Sequence, residues 1–172
     1  MTQDLAALPP SAWVTRFGVD VAPSGSVLDV ACGGGRHANW FAARGHPVTA
    51  VDREPVGALM MGVDFVLADL EAGPWPFEGR NFAGIVVTNY LFRPLFSRLL
   101  QAIDPNGWLI YETFAVGNEK YGRPSNPDFL LQPGELLDVV KGQLQVVAYE
   151  NGYQDVPRPA VVQRIAACRV SQ

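Results

Sequence analysis

The stretch 26–52, SVLDVACGGGRHANWFAARGHPVTAVD, constrains the fold of this 172-residue chain more tightly than any other. Val27, Leu28 and Val30 form a short apolar run interrupted by Asp29, as suits a strand buried in a parallel sheet. The run ends in Cys32-Gly33-Gly34-Gly35, where the missing side chains allow a tight turn and let a ligand approach the backbone. Ala38, Phe41, Ala42 and Gly45 then recur at helical spacing, which predicts a helix. Pro47 and the apolar run Val48 to Val51 follow and end on Asp52. The order is strand, glycine turn, helix, strand, acid.

A unit of this kind suits a nucleotide-like ligand. Backbone N–H groups at the turn and the positive helix end attract negative charge, and a carboxylate at the second strand tip accepts ribose hydroxyls. Gly33-Gly34-Gly35-Arg36-His37-Ala38 reads as the dinucleotide pattern G-x-G-x-x-A, with Asp52 about 20 residues on. Asp29 shifts the weighting, because a carboxylate just before a glycine turn repels a pyrophosphate and welcomes an ammonium group. S-adenosylmethionine (SAM) offers an amino group, a sulfonium and a ribose, with no phosphate. Asp29-x-Ala31-x-Gly33-x-Gly35 resembles the D-x-G-x-G-x-G signature of class I SAM-dependent methyltransferases. Ala31 stands where the first glycine usually is, and the turn is expected to keep its φ negative.

Composition narrows the partners. A net charge of −4 and a pI near 5.1, with no basic run, argue against nucleic acid and anionic membranes. A small-molecule substrate is the remaining expectation. The length fits one domain, 1–172, with 48% hydrophobic residues to build a core. MTQDLAALPPSAW lacks the pattern of a secretion signal, and no apolar run approaches the roughly 20 residues of a membrane span. Cys32 and Cys168 are too few for a disulfide framework and have no zinc spacing, so a reduced cytoplasm is expected. Cys32 is read as a small turn residue in preference to a reactive thiol.

Taken in order, Pro10 and Ser11 open a short helix carrying Trp13 and Phe17, and Gly18 ends it. His46, between Gly45 and Pro47, is expected in an exposed turn. After Asp52, REPVGALMMG leaves space for a helix of barely two turns before the strand Val63 to Leu67. A sheet face left poorly covered there, with Leu59, Met60 and Met61, would pack on another subunit as a homodimer. Asp69 follows that strand and lies beside the ligand crevice of such a sheet. Phe82 to Thr88 is the fourth strand, ending in Asn89-Tyr90, and Pro94 opens a helix with an apolar stripe. Asp104-Pro105-Asn106-Gly107 signals a turn before the strand Trp108 to Phe114. The loop 115–133 is long and carries Asn118, Tyr121, Arg123, Asn126 and Asp128, as a binding loop or lid does. A helix over Gly134 to Val140 precedes the strands Gln143 to Tyr149 and Ala160 to Cys168, separated by Glu150-Asn151-Gly152 and a proline-containing tip.

The resemblance covers nearly the whole chain, since Pro105, Gly107, Leu109 and Glu112 also match a P-x-G-x-L-x-x-E stretch of these enzymes. DVACGGGRHANWFAARGHPVTAVD is similar to the tellurite-resistance-type (TehB-like) branch, and YETFAVGNEKYGRPSNPDFLLQPGELL to a small bacterial subgroup of it. The family implies an α/β, Rossmann-like, doubly wound seven-stranded sheet. That sheet is mostly parallel with a C-terminal antiparallel hairpin, and helices cover both faces. It implies SAM as cofactor and S-adenosylhomocysteine (SAH) as product. Asp29, Ala31, Gly33, Gly35, His37, Asp52, Arg53, Asp69, Leu70 and Asn89 would meet the cofactor, with Asp52 at the ribose and Asp69 and Leu70 at the adenine. Asn89 and Tyr90 would be the catalytic residues at the reacting end. The N-terminal helix is read as a packing helix on the sheet edge, and the resemblance offers the alternative that it covers the cofactor, with Trp13 and Arg16 facing the site. The acceptor is expected to be a small molecule such as a soft oxyanion or a thiol-like nucleophile, and His37, Tyr111 and Glu112 are the candidate bases for a neutral one. Two other readings stay open: a nicotinamide-dependent oxidoreductase, and a non-catalytic protein with a degenerate methyltransferase fold.

Overall fold

The apolar runs become seven strands of one sheet: β1 (Val27–Val30), β2 (Val48–Asp52), β3 (Val63–Leu67), β4 (Phe82–Thr88), β5 (Ile103–Phe114), β6 (Gln145–Gln154) and β7 (Ala160–Cys168). In this computed structural model, which describes residues 8–59 and 61–171, the strand order is β3-β2-β1-β4-β5-β7-β6. The first five strands run parallel, and β7 is inserted antiparallel between β5 and β6. β1 pairs with both β2 and β4, so the chain reverses its winding direction there. In such sheets the crevice at the carboxyl ends of those strands is where ligands bind.

Among the described residues four short α-helices cover the two faces. On one, α1 (Ala12–Gly18) and α2 (Arg36–Ala42) bury Trp13, Val14, Phe17, Ala38 and Phe41 against Val27, Val48, Ala50 and Val86. On the other, α3 (Phe96–Gln101) and α4 (Glu135–Val140) bury Leu99, Leu100, Leu136 and Val140 against Leu28, Val30, Ile85 and Leu109. Alternate residues of β1 thus serve opposite faces, as the pleat requires. Each such large side chain, fully buried, contributes about 1.5–3 kcal/mol. Among the described residues no helix is long and apolar enough to cross a membrane.

Several local expectations are corrected. Residues 53–59 and 61–62 contain no helix. Leu59 instead turns onto the glycine turn, where a Cβ on Gly35 would meet its Cδ2 at 2.4 Å. Met61 is 97% exposed, and Met60 lies outside the described residues. His46 is buried, with Nδ1 2.8 Å from the Gly25 carbonyl and its ring edge-on to Phe41. The 104–107 turn sits within β5 as an insertion: pairing with β4 jumps from Phe82–Ile103 to Gly84–Trp108, with Asn106 at φ +61°. β6 continues through Glu150-Asn151-Gly152, because Glu150 pairs in register with Arg164 and binds its guanidinium at 3.1 Å.

Candidate active site

A cavity of about 390 Å³ opens at the carboxyl ends of β1 to β4. Ala31 and Gly33 enter it after β1, Asp52 and Arg53 after β2, Asp69 and Leu70 after β3, and Asn89 and Tyr90 after β4. Residues as far apart in the chain as Ala31 and Tyr90 are brought together because the parallel strands all end on the same side.

Asp52 braces the glycine turn. Its Oδ2 accepts the Gly33 N–H at 2.8 Å, and its Oδ1 accepts the Glu54 N–H at 3.0 Å. Gly33 and Gly35 have φ of +55° and +80°, the left-handed region that favours glycine. Ala31 shares that region at φ +52°, contrary to the expected negative value, and so does Asn89 at +53°. A residue with a Cβ pays about 1–2 kcal/mol there, less for Asn. Both strained residues line the cavity.

Asp29 and Gly35 lie just behind the cavity wall. Gly35 faces Leu59, and Asp29 is fully buried under the turn. Asp29 Oδ2 accepts the Ala38 N–H at 2.9 Å, while Oδ1 has no partner. Burial pushes its carboxyl up to about 7, opposed by the Ala38 hydrogen bond and the Arg36 charge. An orphaned, buried carboxylate oxygen beside a ligand cavity is one donor short. That is the condition a cationic ligand group relieves.

His37 lines the cavity but both of its nitrogens are engaged. Nε2 accepts the Ser11 N–H at 3.0 Å and Nδ1 lies 3.4 Å from the Thr88 hydroxyl. Burial, reinforced by the Arg36 charge, pulls the ring down to about 3, so it is neutral. Ser11 also caps α1, accepting the Trp13 N–H at 3.2 Å, and donates its hydroxyl to Glu112 Oε1 at 2.6 Å. Glu112 Oε2 is bound to Arg164, its cross-strand neighbour on β7. Tyr111 donates its hydroxyl to the Tyr90 carbonyl at 2.7 Å and burial pushes its pKa up. Of the three candidate bases only His37 reaches the cavity, and it is neutral and fully bonded.

The acid set on the far wall is similarly ordered. Asp69 Oδ1 accepts the N–H groups of Glu71 and Ala72 at 2.9 and 3.1 Å, which hold its carboxyl below the usual range. Burial, and then the charge and hydrogen bond of Glu71, push the Tyr90 phenol up, so it remains a donor.

Trp13 and Arg16 do not reach the cavity. Trp13 is buried with its indole N–H on the Ile165 carbonyl, and Arg16 lies over the Phe17 ring. The polar residues of the 115–133 loop mostly fasten the loop itself. Buried Asn118 donates to the Pro124 carbonyl and accepts the Val161 N–H, Asn126 caps Asp128, and Tyr121 packs on Tyr153. From outside, Arg93 donates to the Asp128 and Leu130 carbonyls and to Glu135. The loop residue that reaches the cavity is Phe129, which the polar inventory of the sequence passed over. Arg36, Glu71 and Thr88 were likewise missed, although their positions directly after or before expected site residues are a usable signal. Cys32 lines the cavity with its thiol pushed up to about 12 by burial and by Asp29 and Asp52, which fits the small-turn-residue reading.

No family model and no curated protein matches the chain. Solved structures do share its fold. TehB from Haemophilus influenzae superposes with a TM-score of 0.72 at 16% identity, over 92% of this chain and 61% of that one. The Burkholderia thailandensis 1,6-didemethyltoxoflavin-N1-methyltransferase, with its substrate and SAH bound, gives 0.65 at 18% identity over 99% of this chain and 80% of that one. The N-methyltransferase NodS from Bradyrhizobium japonicum gives 0.67 at 12% identity over 91% and 94%. This chain therefore spans about three fifths of the TehB chain.

Proposed function

The chain having the class I SAM-dependent methyltransferase fold, we propose that it is an enzyme that moves the methyl group of SAM to a small-molecule acceptor. The observation that carries this reading is the cavity at the tips of β1 to β4, where Asp52 and Asp69 converge beside the glycine turn. SAM, when bound, supplies a methyl carbon already made electrophilic by its sulfonium. The protein's part is alignment and exclusion of water.

Asp52 would hold the ribose, since each of its oxygens already accepts one main-chain N–H and keeps a lone pair for a hydroxyl. Asp69 and the Leu70 main chain would meet the adenine edge. The orphaned Asp29 Oδ1 would take the ammonium group, directly or through water, and Arg36 would answer the carboxylate beside it. Asn89 and Tyr90 would wall the reacting end. None of the three candidate bases is free to take a proton, since His37 is neutral and bonded, Tyr111 donates to the Tyr90 carbonyl and Glu112 is paired. That arrangement favours an acceptor that arrives with its lone pair available, a soft oxyanion or a thiolate-like nucleophile.

Calorimetric titration with SAM, SAH and NADH tests the reading. Binding of SAM and SAH without NADH, weakened in Asp52→Ala, is the expected result. Binding of NADH alone, or of none of the three by folded protein, would overturn it.

A further inference from the structure

Phe129 borders both the cavity and, on its other side, an open depression of the surface. The depression is lined by Arg123, Pro124, Ser125, Asn126 and Arg158, which are exposed apart from half-buried Pro124. Its two charged side chains are both arginines, no carboxylate lines it, and among the described residues neither arginine forms an ion pair. In a chain of net charge −4, two guanidiniums side by side without an ion-pair partner make a local positive field.

The two arginines are brought together by built structure. Arg123 belongs to the 115–133 loop and Arg158 to the tip between β6 and β7. Buried Asn118 ties the two segments by holding the Pro124 carbonyl at 3.0 Å and the Val161 N–H at 3.1 Å. The Tyr121 and Tyr153 rings pack 5.1 Å apart across the same seam. Arg158 lies over the Phe114 ring at 5.2 Å and reaches the Arg123 carbonyl at 3.5 Å. Stacking of this kind orients a guanidinium without neutralising it.

We propose that this open depression is an anion subsite for the methyl acceptor. The acceptor is an organic molecule with a carboxylate or phosphate group remote from its nucleophilic atom, its anion on Arg123 and Arg158 and its body against Phe129. Guanidinium forks match both groups in two-pronged geometry. An acceptor anchored there must extend past Phe129 to reach Tyr90, which a bare inorganic oxyanion does not do. The inference rests on the methyltransferase reading of the cavity.

The test is the arginine Nε–Hε spectrum of the ¹⁵N-labelled chain, titrated with benzoate, phenyl phosphate and inorganic phosphate, each with and without saturating SAH. Arg123→Gln and Arg158→Gln, both exposed positions, identify the two signals, and their melting temperatures check folding. Shifts of both signals by benzoate, by phenyl phosphate or by both are expected, with affinity about tenfold lower in either variant and SAH affinity unchanged. The responding probe tells a carboxylate acceptor from a phosphorylated one. SAH binding with no response to any probe, equal affinity for inorganic and phenyl phosphate, or shifts that persist in both variants would overturn the inference alone. Organic anions that move the two signals while SAH fails to bind would instead overturn the methyltransferase reading and leave the anion site standing.

Discussion

His37 Nε2 accepts the backbone N–H of Ser11 at 3.0 Å, so the ring proton sits on Nδ1, toward the Thr88 hydroxyl. One imidazole thereby joins the cap of α1, the start of α2 and the tip of β4, and it does so only while neutral. Burial lowers its pKa to about 3 from an ordinary 6.5. The unfolded chain therefore takes up the proton first as pH falls. The stability that neutral His37 contributes is complete above about pH 6.5 and is lost progressively toward pH 3. His37→Ala should cost about 1–3 kcal/mol at pH 8, through the orphaned Ser11 N–H, yet flatten the fall of stability below pH 6.5. Urea denaturation at a series of pH values reads both, and an unchanged acid slope would refute the lowered pKa of His37.

Asp29 has the opposite sign. Its folded pKa of about 7 lies above the ordinary 3.8, so its contribution is complete below about pH 4 and is lost as pH rises through 7. Asp29→Asn keeps an acceptor for the Ala38 N–H and should remove that loss. In wild type the two slopes oppose one another between pH 4 and 6.5, and each single variant should expose the other's.

The same carboxyl should couple ligand binding to protons. An ammonium group near Asp29 favours its charged form, so SAH binding at pH 6 should release a proton, and affinity should rise toward pH 7. Calorimetry in two buffers of different ionisation enthalpy measures this. Proton release that persists in Asp29→Asn would assign it to another group.

Asp52→Ala should weaken SAH binding about 10–100-fold, the worth of one or two hydrogen bonds to a charged group. Asp52→Asn, which retains an acceptor for the Gly33 N–H, should fall between the two. Equal losses in both would mean that the carboxylate serves the ribose and that bracing the turn matters little.

Ala31→Gly should raise the melting temperature. Relief of the φ +52° conformation outweighs the extra chain entropy of glycine by about 1 kcal/mol or less, a rise of no more than about 2–4 °C. A fall in melting temperature would show that the Ala31 methyl packs more usefully than its backbone is strained.

Arg93→Ala should loosen the 115–133 loop and leave the rest of the sheet unchanged, because Arg93 holds the Asp128 and Leu130 carbonyls and Glu135. Hydrogen exchange should accelerate at Phe129 to Leu131 while amides of β1 and β2 keep their protection. Uniform acceleration would place Arg93 in the global core instead.

The seven strands, the parallel order of the first five, the antiparallel ending and the helices on both faces were legible in the sequence. The strands themselves follow from local periods of apolar residues bounded by glycine, proline or an acid, whereas their parallel order, the antiparallel ending and the covering of both faces were what the family resemblance implied. The strand-tip acids Asp52 and Asp69 were legible for the same reason, since a strand's end places its next residue at the crevice. Tertiary structure alone decided the rest. Leu59 took the place of a helix because Gly35 left room for it, His46 was buried by Gly25 and Phe41, and β6 outran its turn signal because Arg164 holds Glu150. Phe129 entered the site because Arg93 from outside and Asn118 from within fasten its loop, and His37 became a structural acceptor because Ser11 arrives from 26 residues away. Periodicity is a property of neighbours along the chain, whereas these outcomes depend on which partner each group meets once the chain is closed.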